Sequence, residues 1–330
     1  MLIFTAPGQG AQTPGFLSPW LDLPGLPERL GAWSELAGRD LIRLGTAGSA
    51  EEITDTAVAQ PLLVAAAIAV AELIGEPEHD PFCPDRQGLT ESTSAKRIML
   101  ADVAAGHSVG ELAAAAIAGV ISAEDAIKLT RVRGEAMAAA CGATPTGMTA
   151  VLGGDEDTVL AAIAAAGLTP ANVNTAGQIV AGGTLEQLAE FAASPPAGAR
   201  LRPLRVAGAF HTSHMAPAVA ALAEAAAGAA VKDPAITLLS NLDGAVVTSG
   251  ADWVERISAQ VASPVRWDQC QAAMAGLGVS AFIELLPGGT LTGMAKRALP
   301  GVELLAIKTP DQLDAARALV AAHGTKSKEA

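Results

Sequence analysis

Val103-Ala104-Ala105-Gly106-His107-Ser108-Val109-Gly110-Glu111-Leu112-Ala113-Ala114-Ala115-Ala116-Ile117-Ala118 passes from a short apolar run, through a serine between two glycines, into a stretch dense in helix formers. The local reading is strand, sharp turn, helix. Gly106-x-Ser108-x-Gly110 has a mechanical meaning, since a serine on a strained strand-to-helix turn projects its hydroxyl and only glycine leaves room on either side. The Val109 N–H, at the start of the helix, can face the oxyanion of a tetrahedral intermediate, and the helix dipole supports that charge. The plainer alternative is a βα turn whose Ser108 merely caps the helix.

Working outward, residues 2–6 form an apolar run ending in Pro7-Gly8-Gln9-Gly10, which reads as a buried strand entering a tight loop. A helix is expected over 61–74, with Pro61 in its first turn and Gly75 after it. Residues 75–96 turn to Pro, Glu, Asp, Ser and Thr and read as an exposed crossover. Ser122 and Asp125 form a capping-box pattern that opens a helix running through Arg131 and Arg133 towards Ala140. Between 149 and 206, apolar runs at 149–152, 178–181 and 201–206 alternate with helical stretches at 155–166 and 184–193. That β-α-β-α-β rhythm fits a small α+β subdomain. Beyond it, 215–230 and 311–322 read as helices and 236–240 and 281–284 as strands, and the tail 324–330 as frayed.

Bulk properties bound the function. The 330 residues are 50% hydrophobic and 17% charged, the balance of a globular enzyme with a full core. Tyrosine is absent, so Ala, Leu, Val and Ile must build that core. A net charge of −13 argues against general nucleic-acid binding, which needs concentrated Lys and Arg. The longest strongly apolar run, 62–71, is too short to cross a bilayer, and the N-terminus lacks the basic start of a secretory signal. Cys83, Cys141 and Cys270 are sparse, odd in number and match no metal pattern, as expected for a reducing, cytoplasmic setting.

A nucleophilic serine needs a base. His79 lies in the polar crossover, His323 near the tail, and His107 beside Ser108 on a turn where neighbouring side chains diverge. Gly208-Ala209-Phe210-His211-Thr212-Ser213-His214 remains, between an apolar run and a helix. Two histidines at i and i+3 could also bind a metal, but no third ligand is evident nearby.

Together these residues resemble the malonyl-CoA:acyl carrier protein transacylase family over nearly the whole chain. The markers come in order: Pro7-Gly8-Gln9-Gly10-Ala11-Gln12, Gln60-Pro61, Gly106-His107-Ser108-Val109-Gly110-Glu111, Arg133-Gly134-x-x-Met137, Asn174-x-x-Gly177-Gln178, Gly208-Ala209-Phe210-His211, Gln260-x-x-x-Pro264-Val265-x-Trp267 and Gly288-x-x-Leu291-x-Gly293. The resemblance implies an α/β fold in which an α/β-hydrolase-like large subdomain (1–140 and 207–330) is interrupted by a ferredoxin-like small subdomain (141–206). It implies Ser108 as nucleophile, His211 as base and the backbone carbonyl of Gln260, in place of a carboxylate, as the group orienting the imidazole. The N–H groups of Gln9 and Val109 would form the oxyanion hole. Arg133 would grip the malonyl carboxylate, Phe210 would disfavour an added methyl, and Asn174 would contact substrate. Arg131 and Arg133, two apart on a helix, face nearly opposite sides, so only one can enter a cleft.

The implied partners are malonyl-CoA and an acyl carrier protein, with no nucleic acid and no membrane. No cofactor or metal is implied, because the coenzyme A thioester is itself a substrate. Both partners are acidic, which calls for a local basic patch, expected at Lys296 and Arg297. A serine acyl hydrolase or thioesterase is the alternative chemistry, and a silent carrier-binding module the non-enzymatic one.

Overall fold

The computed structural model describes residues 1–75, 100–142 and 144–324. Most of the polar segment 75–96, with His79 and Cys83, lies outside the described residues, as does the tail 325–330. In chain order the strands are β1 (Leu2–Ala6), β2 (Val103–Gly106), β3 (Thr146–Gly153), β4 (Thr169–Thr175), β5 (Gln178–Thr184), β6 (Ala199–Pro203), β7 (Thr237–Leu238), β8 (Val265–Arg266), β9 (Ala281–Glu284) and β10 (Glu303–Ala306).

The first sheet, β10-β9-β1-β2-β7, is parallel throughout. Such a sheet is covered on both faces, so its strands are continuously apolar and do not alternate. In β1 all five residues are buried; Leu2, Phe4 and Ala6 enter one core cluster and Ile3 another on the opposite face. The last β1–β2 pair, Ala6 with Gly106, brings the Pro7-Gly8-Gln9 loop alongside the Ser108 turn. Both lie at the carboxyl edge of the sheet, where open α/β sheets bind ligands.

The helix expected over 61–74 spans Thr56–Gly75. It starts earlier because Asp55 accepts the Ala57 N–H at 2.8 Å, which leaves Pro61 inside the helix. At 20 residues it extends past the run at 62–71 and is long and apolar enough to cross a membrane, which corrects the reading of that run as too short. In the fold, 83% of its most apolar stretch is buried, and it serves as a central core helix. The helix Ala123–Cys141 packs on it closely at Gly134, where a Cβ would come within 3.1 Å of Ala57 Cα and Thr56 O. That approach sets Arg133 beside Gln60. Ser122 caps the second helix, accepting the Asp125 N–H at 3.0 Å.

The second sheet has the order β6-β3-β5-β4-β8, with β6, β3, β5 and β4 antiparallel to one another. Its chain order is β-α-β-β-α-β, one strand more than the sequence reading, with helices at Glu156–Ala165 and Leu185–Ala193. The added strand, β4, carries Pro170, Asn172 and Asn174, poor strand formers that also break its register with β5. Pleating divides the sheet between two cores. Val151, Val173 and Ile179 join Val159, Ile163 and Phe191 beneath the two helices, whereas Met148, Ala150 and Val180 join the main cluster. The fifth strand, β8, comes from later in the chain and pairs in parallel with β4. Elsewhere the expected strand 236–240 is reduced to Thr237–Leu238 plus one bridge, Leu239 with Val246. The expected helices 215–230 and 311–322 span Ala216–Ala227 and Leu313–His323.

Ile163 is fully buried in the second sheet's own cluster. Ile163→Ala should lower the free energy of unfolding by about 2–5 kcal/mol, measured by urea denaturation.

Candidate active site

The turn after β2 leaves no room for side chains on its flanks. A Cβ on Gly106 would lie 2.0 Å from the Gly110 carbonyl carbon, and one on Gly110 would lie 2.3 Å from Ala6 O. With the helix start pressed against the strand ends, the chain reverses only if Ser108 adopts φ +55°, in the left-handed region. Such backbone strain in a non-glycine residue persists only where its surroundings hold it. Here a buried residue that the sequence reading missed contributes. Asn241 Oδ1 accepts the Ser108 N–H at 2.7 Å, while its Nδ2 donates to Gly106 O at 2.7 Å. The Gln9 and Val109 N–H groups, on the two loops that β1 and β2 bring together, donate to no protein acceptor among the described residues.

His211, 103 residues downstream, places Nε2 2.7 Å from Ser108 Oγ. It also has positive φ, +61°. Two bonds brace its loop: the Ala209 N–H donates to Thr146 Oγ1 at 3.0 Å, and Thr212 Oγ1 donates to Ala209 O at 2.7 Å. On the far side of the ring, Nδ1 is 3.1 Å from the backbone carbonyl of Gln260 and 3.1 Å from its side-chain Nε2. An amide nitrogen can only donate, and donation to Nδ1 would put the ring proton on Nε2, leaving nothing to accept from Ser108. In the tautomer that accepts from the serine, Nδ1–H donates to the Gln260 carbonyl. Both ring nitrogens are thereby engaged. Among the described residues no cluster of three or more His, Cys, Asp or Glu could hold a metal ion.

Arg133 enters from the helix Ala123–Cys141 and is 1% exposed. Its guanidinium donates to Gln60 Oε1 at 2.8 Å, to Ser108 Oγ at 3.2 Å and to Gln260 Oε1 at 3.4 Å, and Nε–H has no partner among the described residues. Arg131 instead sits outside, paired with Glu135.

A family model described as the acyl transferase domain matches residues 89–322. The malonyl CoA-acyl carrier protein transacylase of Mycobacterium tuberculosis is 52% identical over 317 residues, covering 95% of this chain and 98% of its own. The chain belongs to the malonyl-CoA:acyl carrier protein transacylase family. Among solved structures, MCAT from Mycobacterium tuberculosis superposes with a TM-score of 0.87 at 51% identity, covering 96% of this chain and 99% of its own. A malonyl-transacylase in complex with its type II PKS acyl-carrier protein superposes with a TM-score of 0.83 at 27% identity, covering 96% and 99%.

In this member of the family the electrostatics follow from burial. Loss of water pulls Arg133 down to about 10, so it stays charged at neutral pH. Burial pushes the nearby Glu111 carboxyl up to about 8, which keeps it mostly neutral there. Arg133 is thus a buried cation with no carboxylate hydrogen-bonded to it among the described residues. Burial, then the Arg133 charge, hold His211 down at about 3, and the imidazole is neutral. His107 Nε2–H donates to Asn174 Oδ1 on β4 at 2.9 Å, and the ring packs edge-on against Trp267, 5.6 Å between ring centroids. The Asn174 carbonyl accepts from Gln271 Nε2 at 2.7 Å, so Asn174 ties the Ser108 turn to the second sheet. Phe210 is buried in the main core cluster, next to His211 in the chain. Lys296 and Arg297 are exposed at the end of the helix Thr290–Ala298, and Arg297 donates to Gln178 Oε1 at 3.2 Å.

The depressed His211 value has a direct readout. The unfolded chain takes up this proton near the ordinary histidine value of about 6.5 and the folded chain only near 3. The stability it contributes is complete above about 6.5 and is lost as pH falls through that interval. Carbon-13 NMR of the histidine rings should find His211 still neutral at about pH 5, where an unperturbed histidine is protonated.

Proposed function

We propose that the chain moves a malonyl group from malonyl-CoA to the phosphopantetheine thiol of an acyl carrier protein, through an ester on Ser108. The observation that carries this reading is Arg133. It is a desolvated guanidinium within 3.2 Å of the serine hydroxyl; among the described residues it is hydrogen-bonded only to neutral groups and its Nε–H has no partner. A buried cation without a counter-charge is costly. A carboxylate two bonds from the reacting carbonyl supplies that counter-charge and fits the guanidinium through paired hydrogen bonds. A fatty-acyl hydrolase would have no use for the charge, and the imidazole here is oriented by an amide carbonyl, without the carboxylate of an ordinary triad.

The cycle is ping-pong. As Ser108 Oγ attacks the thioester carbonyl, its proton passes to His211 Nε2, and the imidazolium stays bonded to the Gln260 carbonyl. The Gln9 and Val109 N–H groups receive the oxyanion; loss of one such donor typically costs about 10²–10³ in rate. Collapse of the intermediate breaks the C–S bond, and the coenzyme A sulfur leaves with the proton from His211. The carrier thiol then enters, gives its proton to His211 and attacks the Ser108 ester. Breaking the C–Oγ bond returns that proton to the serine. No step needs a cofactor or a metal.

The architecture behind this reading is an α/β-hydrolase-like large subdomain, 1–140 and 207–330, holding Ser108, His211 and Arg133. A ferredoxin-like insertion, 141–206, is supported by the β-α-β-β-α-β order and by the strand sequence β6-β3-β5-β4. Phe210 and Asn174 border the acyl and pantetheine path, and the exposed Lys296 and Arg297 meet the acidic carrier. The work is cytoplasmic, in fatty acid or polyketide synthesis, and involves neither membrane nor nucleic acid.

Mass spectrometry after brief exposure to malonyl-CoA should show one malonyl adduct on the parent protein and none on Ser108→Ala; an adduct that persists in the variant refutes the ester. Arg133→Ala should lower kcat/KM for malonyl-CoA by about 10²–10⁴, the value of two charge-assisted hydrogen bonds, and that for acetyl-CoA by less than about tenfold. Equal losses on the two thioesters would remove Arg133 from the selectivity role.

A further inference from the structure

Asn241 is fully buried, and every polar group it has is in use. Its place follows from how β7 ends. The parallel ladder between β2 and β7 advances two residues at a time, with Thr237 N–H donating to Asp102 O and Leu239 N–H to Ala104 O. The next rung would join Asn241 N–H to Gly106 O. The backbone has turned away by then, and its N–H donates instead to Glu111 Oε1 at 2.7 Å. The side-chain amide takes over: Nδ2 donates to Gly106 O, and Oδ1 accepts the Ser108 N–H, each at 2.7 Å. On the other side, the Asn241 carbonyl accepts the Arg266 N–H of β8 at 2.8 Å.

We infer that Asn241 is a positioning residue for the nucleophile, its carboxamide holding Ser108 in the left-handed backbone conformation that aims Oγ at His211 and leaves the Val109 N–H facing the reacting carbonyl. The inference rests on the reading of Ser108 as the acylated residue. A carboxamide suits the task because it offers one donor and one acceptor in the same plane, the two groups that Gly106 O and Ser108 N–H require. A carboxylate offers two acceptors, and one of them would oppose Gly106 O. Protonation of that oxygen restores the donor.

The test is the single-turnover rate of Ser108 acylation at saturating malonyl-CoA, in the full chain carrying Asn241→Ala or Asn241→Asp, alongside thermal melting and malonyl-CoA affinity. Asn241→Ala should acylate about 10²-fold more slowly, the scale of a misplaced reacting group, with affinity changed by less than about threefold. Asn241→Asp should be slow at about pH 9, and its rate relative to the parent should rise at least about tenfold by about pH 6 as the introduced carboxyl takes a proton. A rate for Asn241→Ala within about threefold of the parent overturns the inference. So does an Asn241→Asp ratio that does not change with pH, or failure of both variants to fold, which would assign Asn241 to the fold alone. A parent protein that never acylates Ser108 overturns the transacylase reading and this inference with it, whereas an acylating parent with an indifferent Asn241→Ala overturns only this inference.

Discussion

The close approach of the helix Gly110–Ile117 to the ends of β1 and β2 is the constraint from which the site is built. With Gly110 against Ala6 O and Gly106 against Gly110, the chain has one way to reverse, and Ser108 takes the strained backbone conformation at its apex. The strain is local, but its supports are not. They come from Asn241 after β7, from His211 after β6 and from Arg133 on a helix that Gly134 allows to nestle against the core. The site is therefore a meeting of distant segments, held by a parallel sheet whose strands are themselves far apart in the chain.

Burial then sets the charge states. Taking Arg133 and Glu111 out of water weakens both charges, but unequally with respect to neutral pH: the guanidinium remains ionised and the carboxyl is mostly neutral. The result is a buried positive charge in front of a neutral imidazole. Gln260 joins the two halves, since its backbone carbonyl faces His211 and its side-chain oxygen faces Arg133.

Much of this was legible in the residues, and the failures have physical causes. The strand–turn–helix around Ser108 was readable because steric demand and residue type coincide there; the spacing of Arg131 and Arg133 allowed only one to face inward, and the family motif Arg133-Gly134-x-x-Met137 selected it. Setting aside His79, His107 and His323 left the segment with His211 and His214, from which the family resemblance selected His211. Asn241 carried no signal. It follows a two-residue strand, and an asparagine near a turn is ordinary. Its importance arises only from the ladder that ends before it. β4 was hidden because its stability comes from neighbours on both sides, which offset a proline and two asparagines. The start of the helix Thr56–Gly75 was misplaced because Pro61 imitates a first-turn proline, whereas Asp55 supplies the cap.

The strand β8 bears on how such a protein can be altered by recombination. The proposed insertion, 141–206, supplies four of the second sheet's five strands. Yet its sheet is completed by Val265 and Arg266, only five residues past the carbonyl that faces His211. A transplanted insertion from a distant relative would meet a foreign edge strand, and any slip in that pairing would tug on the imidazole. The smaller sheet is thereby tied, through Val265 and Arg266, to the segment that carries Gln260.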